Sequence, residues 1–316
     1  MDIRNIKKRT KLFGMSLLFL TSFIWGFAFV GQSTGMRYMG PFSFNASRFL
    51  LAGCILIPIR LLFLHISPKK EKNRESKEAA EIKKQSIRGG IFCGLCLFAG
   101  SSLQQIGLQY TTVGKAGFIS ALYIIIIPII GIFMGKKSRP GIWGAVFIAL
   151  IGMYLLCIRE EIVLSRGDGL MLACAFAFSA HILVIERVSV RIDAVLMVIT
   201  QFFVCGLLSL FPALFLESPQ AGNILAAWRE LIFVGIFSGG IAFTAQIVGQ
   251  RYVKAGIASL IMSLESVFSL IGGWLILGEI LSKREIIGCV LVFLSILLAQ
   301  KEPASGEERV CAEAKG

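Results

Sequence analysis

Long apolar runs separated by short polar segments make up almost the whole chain. Each run is close to the roughly 20 residues that a helix needs to cross the hydrocarbon core of a bilayer. Unbroken stretches such as Tyr-Ile-Ile-Ile-Ile at 123–127 lack the alternation of barrel strands. Because a helix satisfies its own backbone groups in lipid, the pattern predicts an all-α integral membrane protein with ten transmembrane helices. Runs one to ten cover about 12–34, 42–64, 88–109, 116–135, 140–158, 168–186, 194–216, 229–250, 256–278 and 283–300.

Short sequence echoes link the first and second halves of the chain. Gln-Ile-x-x-Gln occurs at 105–109 in run three and at 246–250 in run eight. Run two carries Arg-Phe-x-x-x-Gly at 48–53, and run seven carries Gln-Phe-x-x-x-Gly at 201–206. Equivalent runs are five crossings apart, and an odd number of crossings reverses direction, so two inverted five-helix repeats are predicted. The predicted repeats cover 12–158 and 168–300, between an N-terminal segment 1–11 and a tail 301–316, with a charged loop at 65–87.

Composition and charge agree with a membrane location. The 316 residues are 56% hydrophobic and 16% charged, whereas soluble proteins contain about a quarter charged residues. The net charge of +13 comes from Lys and Arg concentrated in alternate polar segments, among them 1–11 and 65–87. Such basic segments mark the cytoplasmic side. The sequence therefore predicts a multi-pass protein of the cell membrane, embedded in the lipid bilayer, with both termini cytoplasmic and no nucleic-acid partner.

Several short motifs resemble one transporter family. They are Ile-Trp-Gly-Phe-Ala-Phe-Val at 24–30, Arg48-Phe49, Pro128 in run four, Leu-Glu-Ser-Val-Phe at 264–268 and Leu-Gly-Glu at 277–279. Over about residues 12–300 the chain resembles EamA-type members of the drug/metabolite transporter (DMT) superfamily. The resemblance implies ten helices, cytosolic termini and a central cavity lined largely by runs one, three, four, six, eight and nine. It also implies transport of amino acids, other metabolites, nucleotide sugars or drugs.

Two charged residues inside the runs are candidates for contact with a solute. Glu265 lies near the middle of run nine, where a charged carboxyl costs roughly 2.5–3.5 kcal/mol on insertion scales. It is predicted to face a cavity and to bind an amine or carry a coupling proton; the alternative is a neutral carboxyl that packs between helices. Three alternative roles are predicted for Arg48 in run two: it binds a substrate carboxylate, it pairs with an acid, or its side chain extends to the membrane surface. Its counterpart in run seven is the neutral Gln201.

Uncharged polar and aromatic residues complete the predicted site. Gln105 in run three and Gln246 in run eight need hydrogen-bond partners in lipid, so both are predicted to face the interior. Trp25, Tyr123 and His181 combine an aromatic body with a polar edge that can contact an organic solute. Hydrogen bonding between helices is the alternative role for the glutamines. Packing or lipid contact is the alternative for the aromatic residues.

Together these features predict a secondary transporter that moves a small organic metabolite by alternating access, with an amino acid or related solute as the leading candidate. Broad-specificity drug efflux, a non-transporting membrane scaffold and a lipid-modifying membrane enzyme are the alternatives. No nucleophile–base pair, zinc-ligand cluster or Gly-x-Gly-x-x-Gly phosphate loop stands out, so no enzyme activity, catalytic residue, metal or cofactor is predicted. The predicted partner is a small-molecule substrate, and the sequence leaves proton coupling, transport direction and oligomeric state open.

Overall fold

The computed structural model of the chain describes residues 3–66, 76–111, 113–135, 140–157, 165–277 and 282–301. All regular secondary structure in these residues is helical. The α-helices are α1 (Ile3–Gly35), α2 (Pro41–Ile66), α3 (Ser76–Gly107), α4 (Val113–Ser120), α5 (Tyr123–Phe133), α6 (Pro140–Cys157), α7 (Arg166–Val188), α8 (Ala194–Pro212), α9 (Ala221–Ala226), α10 (Trp228–Ile232), α11 (Phe243–Gln250), α12 (Ala255–Met262), α13 (Glu265–Leu277) and α14 (Lys283–Lys301). A 3-10 turn (Ser189–Arg191) and two π-helical segments (Ala213–Glu217 and Phe233–Ala242) lie between them.

Eight helical stretches in the described part of the chain are long and apolar enough to cross a membrane. They correspond to runs one to four and six to nine. Run five forms the shorter apolar helix Gly141–Leu155 within α6, and run ten forms α14, whose first turn is charged. α6 and α14 pack against each other. Their backbones lie close together at Gly152, where a Cβ would be 2.8 Å from the Gly288 carbonyl oxygen. The fold is therefore an all-helical membrane chain with eight candidate spans, and ten crossings stay a prediction.

The charged segment 65–87 is predicted as a loop, but its described C-terminal part, 76–87, forms the first turns of α3. This stretch is rich in Ala, Glu, Lys and Gln, which are strong helix formers. The Gln85 side chain also donates to Glu81 one turn earlier, over 3.0 Å. Helix α3 therefore extends well beyond the apolar part of run three. The centre of the predicted loop and the predicted tail beyond Lys301 lie outside the described residues.

Runs four and nine are each interrupted near the middle by one tightened turn. In run four, the N–H groups of residues 122 and 124 donate to carbonyls three residues earlier. In run nine, the N–H groups of residues 264 and 266 do the same, and all four distances are 3.1–3.2 Å. Tyr123 is the first residue of α5, and Glu265 is the first residue of α13. Bonds of this i to i+3 type inside a long helix often mark a hinge, and the two runs are interrupted at matching positions.

Candidate functional site

A cavity that is partly open to the surroundings lies among the helices of both halves of the chain. Its walls come from runs one, two, three, four, six, eight and nine. Run two, which contributes Arg48 and Phe49, is an addition to the runs that the family resemblance implies. Six of the seven predicted site residues line the cavity: Trp25, Arg48, Tyr123, His181, Gln246 and Glu265.

The cavity lies toward the end of the helix bundle where α1 ends and α2 begins, called here the α1–α2 end. Its lining includes Gln32, within one turn of the end of α1, and Gln104, within one turn of the end of α3. Arg48 lies about two turns after the start of α2. The cavity lining also includes Gln246, one turn before the end of α11 and so toward the opposite, α2–α3 end. The cavity therefore extends from the α1–α2 end past the middle of the bundle.

Polar contacts tie the helices together at the α2–α3 end. Arg60 Nε and Nη2 each lie 2.9 Å from Asp193 Oδ2. Asp193 is also the N-cap of α8, where its Oδ1 accepts the Leu196 N–H over 3.0 Å. Arg251 Nη2 donates to the Ile192 carbonyl oxygen over 2.8 Å. These contacts join α2, the start of α8 and the end of α11 at the α2–α3 end of the bundle.

The two interrupted helices meet in the cavity wall. The Tyr123 hydroxyl donates to Glu265 Oε1 over 3.2 Å, and the two side chains are only 4% and 8% exposed. Each residue opens the second half of its run, directly after the tightened turn. A buried carboxyl oxygen needs a donor, and the tyrosine of the other half supplies it. The bond therefore connects the interruption of run four to the interruption of run nine.

His181 and Gln201 form a second polar pair at the cavity. His181 Nε2 lies 3.0 Å from Gln201 Oε1, and both side chains are buried. With the amide oxygen as the acceptor, the Nε2 of His181 carries the proton, an assignment that follows from the hydrogen-bond network. Gln201, the predicted repeat counterpart of Arg48, thus has a hydrogen-bond partner from its own half of the chain.

Phe243 lies at the centre of an aromatic group that the motifs do not reveal. Its ring centroid is 4.9 Å from Trp25, 5.4 Å from Phe202 and 6.0 Å from His181. Trp25 Nε1 donates to the carbonyl oxygen of Ser238 over 3.3 Å, within the π-helical segment 233–242. Phe243 precedes Gln246 by three residues, so helical spacing from that glutamine places both on one face. That spacing is the signal by which the sequence could have identified Phe243.

The two glutamines of the Gln-Ile-x-x-Gln echo occupy different places. Gln246 lines the cavity, and its Oε1 is buried without a hydrogen-bond partner among the described residues. Gln105 lies behind the wall, where its Nε2 donates to Gln32 Oε1 over 3.3 Å. Gln32 itself lines the cavity. Gln105 therefore does not line the cavity itself but donates a hydrogen bond to a residue that does.

Arg48 is 6% exposed, and its guanidinium carbon lies 4.5 Å from the centre of the Phe49 ring and 5.6 Å from that of Phe44. Burial in the cavity wall differs from the predicted alternative in which the side chain extends to the membrane surface. No acid pairs with Arg48 among the described residues. The cavity thus offers a solute a cation, a carboxyl, amides and aromatic faces. The described residues contain no group of three or more His, Cys, Asp or Glu placed to hold a metal ion.

The chain belongs to the EamA-like transporter family, whose model matches residues 12–158 and 165–300. The predicted identification as an EamA-type member of the drug/metabolite transporter superfamily is therefore confirmed. Members of this family are multi-pass membrane transporters, so membership implies that the substrate is a small molecule.

Similar proteins carry the same general description. An uncharacterized transporter of Archaeoglobus fulgidus is 29% identical over 283 residues, which cover 89% of this chain and 83% of the relative. The uncharacterized transporter YoaV of Bacillus subtilis is 23% identical over 286 residues, which cover 87% of this chain and 92% of the relative. A solved crystal structure matches with a TM-score of 0.72 at 17% identity and covers 91% of this chain and 96% of its own. This last similarity shows a shared fold.

Proposed function

We propose that the protein is a secondary transporter that moves a small organic metabolite across the cytoplasmic membrane by alternating access. The observation that carries the proposal is the cavity at which two interrupted helices meet through Tyr123 and Glu265. Transporters built from repeats bind their substrate between the repeats, at discontinuous helices near the middle of the bilayer. The cavity is lined from both halves of the chain and contains such a meeting point, so it is the proposed solute site.

Reciprocal contacts between runs two and seven support two inverted repeats at 12–158 and 168–300. A Cβ on Gly53 would lie 3.2 Å from the Phe203 ring, and a Cβ on Gly206 would lie 2.8 Å from the Leu50 side chain. Each glycine thus faces the residue three positions before the other glycine. Two-way contacts of equivalent residues are typical of a twofold axis, which supports a pseudo-twofold axis between α2 and α8.

The packing of the other helices is reproduced when the halves are exchanged. Run one packs on runs eight and nine, as run six packs on runs three and four. Run two packs on run eight, as run three packs on run seven, while runs two and seven, and runs five and ten, pack on each other. The equivalent rings of Phe49 and Phe202 also meet, at 5.4 Å. This exchange symmetry supports ten crossings arranged as five plus five.

The concentration of basic residues in segments 1–11 and 65–87 supports cytoplasmic termini. In that orientation the α1–α2 end of the cavity faces the outside, and the contacts at the α2–α3 end close the cytoplasmic side. Alternating access would then separate the contacts at the α2–α3 end, including Arg60–Asp193, while helices approach one another at the α1–α2 end. The tightened turns before Tyr123 and Glu265 are the positions at which runs four and nine would bend.

The proposed solute is an amino acid or a related metabolite, because the cavity wall contains both a cation and a carboxyl beside aromatic faces. Broad-specificity drug efflux is the second candidate, since Glu265 and the same aromatic faces also suit a lipophilic cation. The residues proposed to contact the solute are Trp25, Arg48, Tyr123, His181, Gln246 and Glu265, with Gln105 supporting the wall.

Thermal stabilisation of the purified protein across a library of metabolites and drugs tests the proposal, because a ligand stabilises the state that it binds. Stabilising compounds are then assayed for uptake into proteoliposomes, with protein-free liposomes as the control. One preferred solute with saturable uptake is expected. Stabilisation and transport of many unrelated lipophilic cations would identify drug efflux instead. A compound that stabilises the protein through the cavity but never crosses the membrane would contradict transport.

A further inference from the structure

Arg48 presents a buried positive charge without a negative partner to the cavity. The side chain is 6% exposed, and its guanidinium makes no hydrogen bond and no ion pair within the described part of the chain, where Nε is fully buried and unpartnered. A buried charge that lacks a partner is strongly unfavourable. The described part of the chain therefore supplies no anion for the guanidinium group of Arg48.

The aromatic neighbours of Arg48 offset only part of this deficit. Phe49 and Phe44 lie against the guanidinium at 4.5 and 5.6 Å, which gives a favourable cation–π contact. A guanidinium carries five N–H donors, and an aromatic ring offers them no lone-pair acceptor. The rings therefore leave the N–H donors of Arg48 for a bound anion.

We propose that Arg48 binds the carboxylate of an organic solute that carries a single carboxylate, so that organic monocarboxylates are the substrate class of the cavity. This inference rests on the proposed transport function. A guanidinium presents two parallel donors that match the two oxygens of a carboxylate. Among the described residues that line the cavity, Arg48 is the only Lys or Arg and Glu265 the only Asp or Glu. One cation in the wall favours one carboxylate on the solute over two.

The rest of the wall selects an apolar or aromatic body for this carboxylate. Trp25, Phe29, Phe178 and Phe243 line the same cavity as Arg48. Aromatic side chains pack on apolar solutes and stack on rings. The repeat counterpart, Gln201, is engaged by His181 at 3.0 Å. The carboxylate therefore binds at the Arg48 side of the pseudo-twofold axis and not at its equivalent.

Matched pairs of ligands test the inference on the unaltered protein. The full-length protein is purified and its thermal unfolding is followed at constant ionic strength with hexanoate, benzoate and hydrocinnamate, each beside its own amide: hexanamide, benzamide and hydrocinnamide. Each pair shares a body and differs in charge. At least one carboxylate is expected to raise the unfolding temperature in a saturable way, and its amide is expected to have little effect. Equal effects within all pairs, or no effect of any carboxylate, would overturn the inference.

Variants assign the effect to Arg48. Arg48→Gln is expected to weaken the carboxylate by roughly 10- to 100-fold, as expected for loss of a charge-assisted hydrogen bond, and to leave the amide unchanged. Arg48→Lys keeps the charge but loses the paired donors, so an intermediate affinity is expected. Arg37→Gln removes an exposed charge near the same end of the bundle and serves as the matched control. An equal loss in Arg37→Gln and Arg48→Gln would show attraction by surface charge only and would overturn the inference.

The inference and the transport function fail in different ways. If neutral or cationic compounds bind and cross the membrane but carboxylates do neither, the protein is a transporter and Arg48 has a structural role. If a carboxylate binds in an Arg48-dependent manner and is not taken up by proteoliposomes, the site assignment holds and transport is contradicted. The ligand comparison on the unaltered protein decides the outcome even if Arg48→Gln does not fold.

Discussion

The interrupted helices α4–α5 and α12–α13 share one backbone design and differ in the side chain placed at its centre. Both contain a tightened turn at matching positions, and both begin their second half with the residue that enters the cavity. In α5 this residue is Tyr123, a hydrogen-bond donor, and in α13 it is Glu265, an acid, and the two bond to each other. The comparison supports the proposal that the two halves repeat one framework, and it places different side chains at the matching positions.

The largest difference between the halves is expected from removing the acid. In Glu265→Gln, transport is expected to fall to background or to lose its response to a proton gradient, because an amide cannot bind and release a proton. Tyr123→Phe loses one hydrogen bond, worth about 0.5–1.5 kcal/mol, and is expected to retain transport. Uptake into proteoliposomes at several pH values measures both.

Glu78→Gln, at an exposed position in the first turn of α3, is the matched control for the loss of a carboxylate. Unchanged pH-dependent uptake in Glu265→Gln would show that the carboxyl carries no proton. Equal losses in Glu265→Gln and Tyr123→Phe would show that the hydrogen bond, and not the acid, distinguishes the site.

Packing variants at equivalent places are expected to affect the two halves alike. A Cβ on Gly14 would lie 2.9 Å from the Gly249 carbonyl oxygen, and a Cβ on Gly167 would lie 2.8 Å from the Gly107 carbonyl oxygen. These contacts join run eight to run one and run three to run six. Gly14→Leu and Gly167→Leu are each expected to destabilise the protein by about 1–3 kcal/mol, because overpacking forces the backbones apart. Thermal unfolding in detergent measures the effect.

Gly144→Leu is the control for the glycine variants, because nothing lies within 4 Å of a Cβ at this position in α6. Its unfolding temperature is expected to match that of the unaltered protein. A large destabilisation by only one of the two glycine variants would argue that the contacts are not equivalent and would weaken the inverted-repeat proposal.

Carboxylates at the starts of the equivalent helices α2 and α8 offer a finer comparison. Asp193 caps α8 from within its own chain segment, whereas Glu217 reaches α2 from the end of run seven and accepts the N–H groups of Phe42 and Ser43 at 2.9 and 2.7 Å. Asp193→Ala and Glu217→Ala are each expected to cost about 0.5–2 kcal/mol, as for other lost caps. Thermal unfolding tests this, and a neutral result for Glu217→Ala would show that the contact between distant segments does not act as a cap.

The smallest effect is expected from the ion pair at the α2–α3 end. Arg60 and Asp193 are 23% and 26% exposed, and exposed pairs contribute about 0–1 kcal/mol. Arg60→Gln should therefore lower stability less than Asp193→Ala, which loses the cap as well. If Arg60→Gln costs as much as Asp193→Ala, the ion pair and not the helix cap holds this end together.

Local sequence features predicted much of the framework because they depend on single segments. Run length and hydropathy identified the helices, including the eight candidate spans, since crossing hydrocarbon requires only a long apolar segment. The family motifs likewise lie within single runs. Loop 65–87 was less predictable, because it combines strong helix formers with a high density of charge. The structure shows that the part from Ser76 onward continues into α3.

The sequence by itself determined that the chain is a membrane transporter of the EamA type and that Glu265 and Arg48 are rare charges at membrane depth. Only the tertiary structure decided their surroundings. Tyr123 donates to Glu265 across 142 residues of chain, Gln105 lies behind the cavity wall and Arg48 lacks a negative partner among the described residues. Helical periodicity defines which residues share a face, but it does not define which faces meet. That choice belongs to the packing of helices distant in sequence.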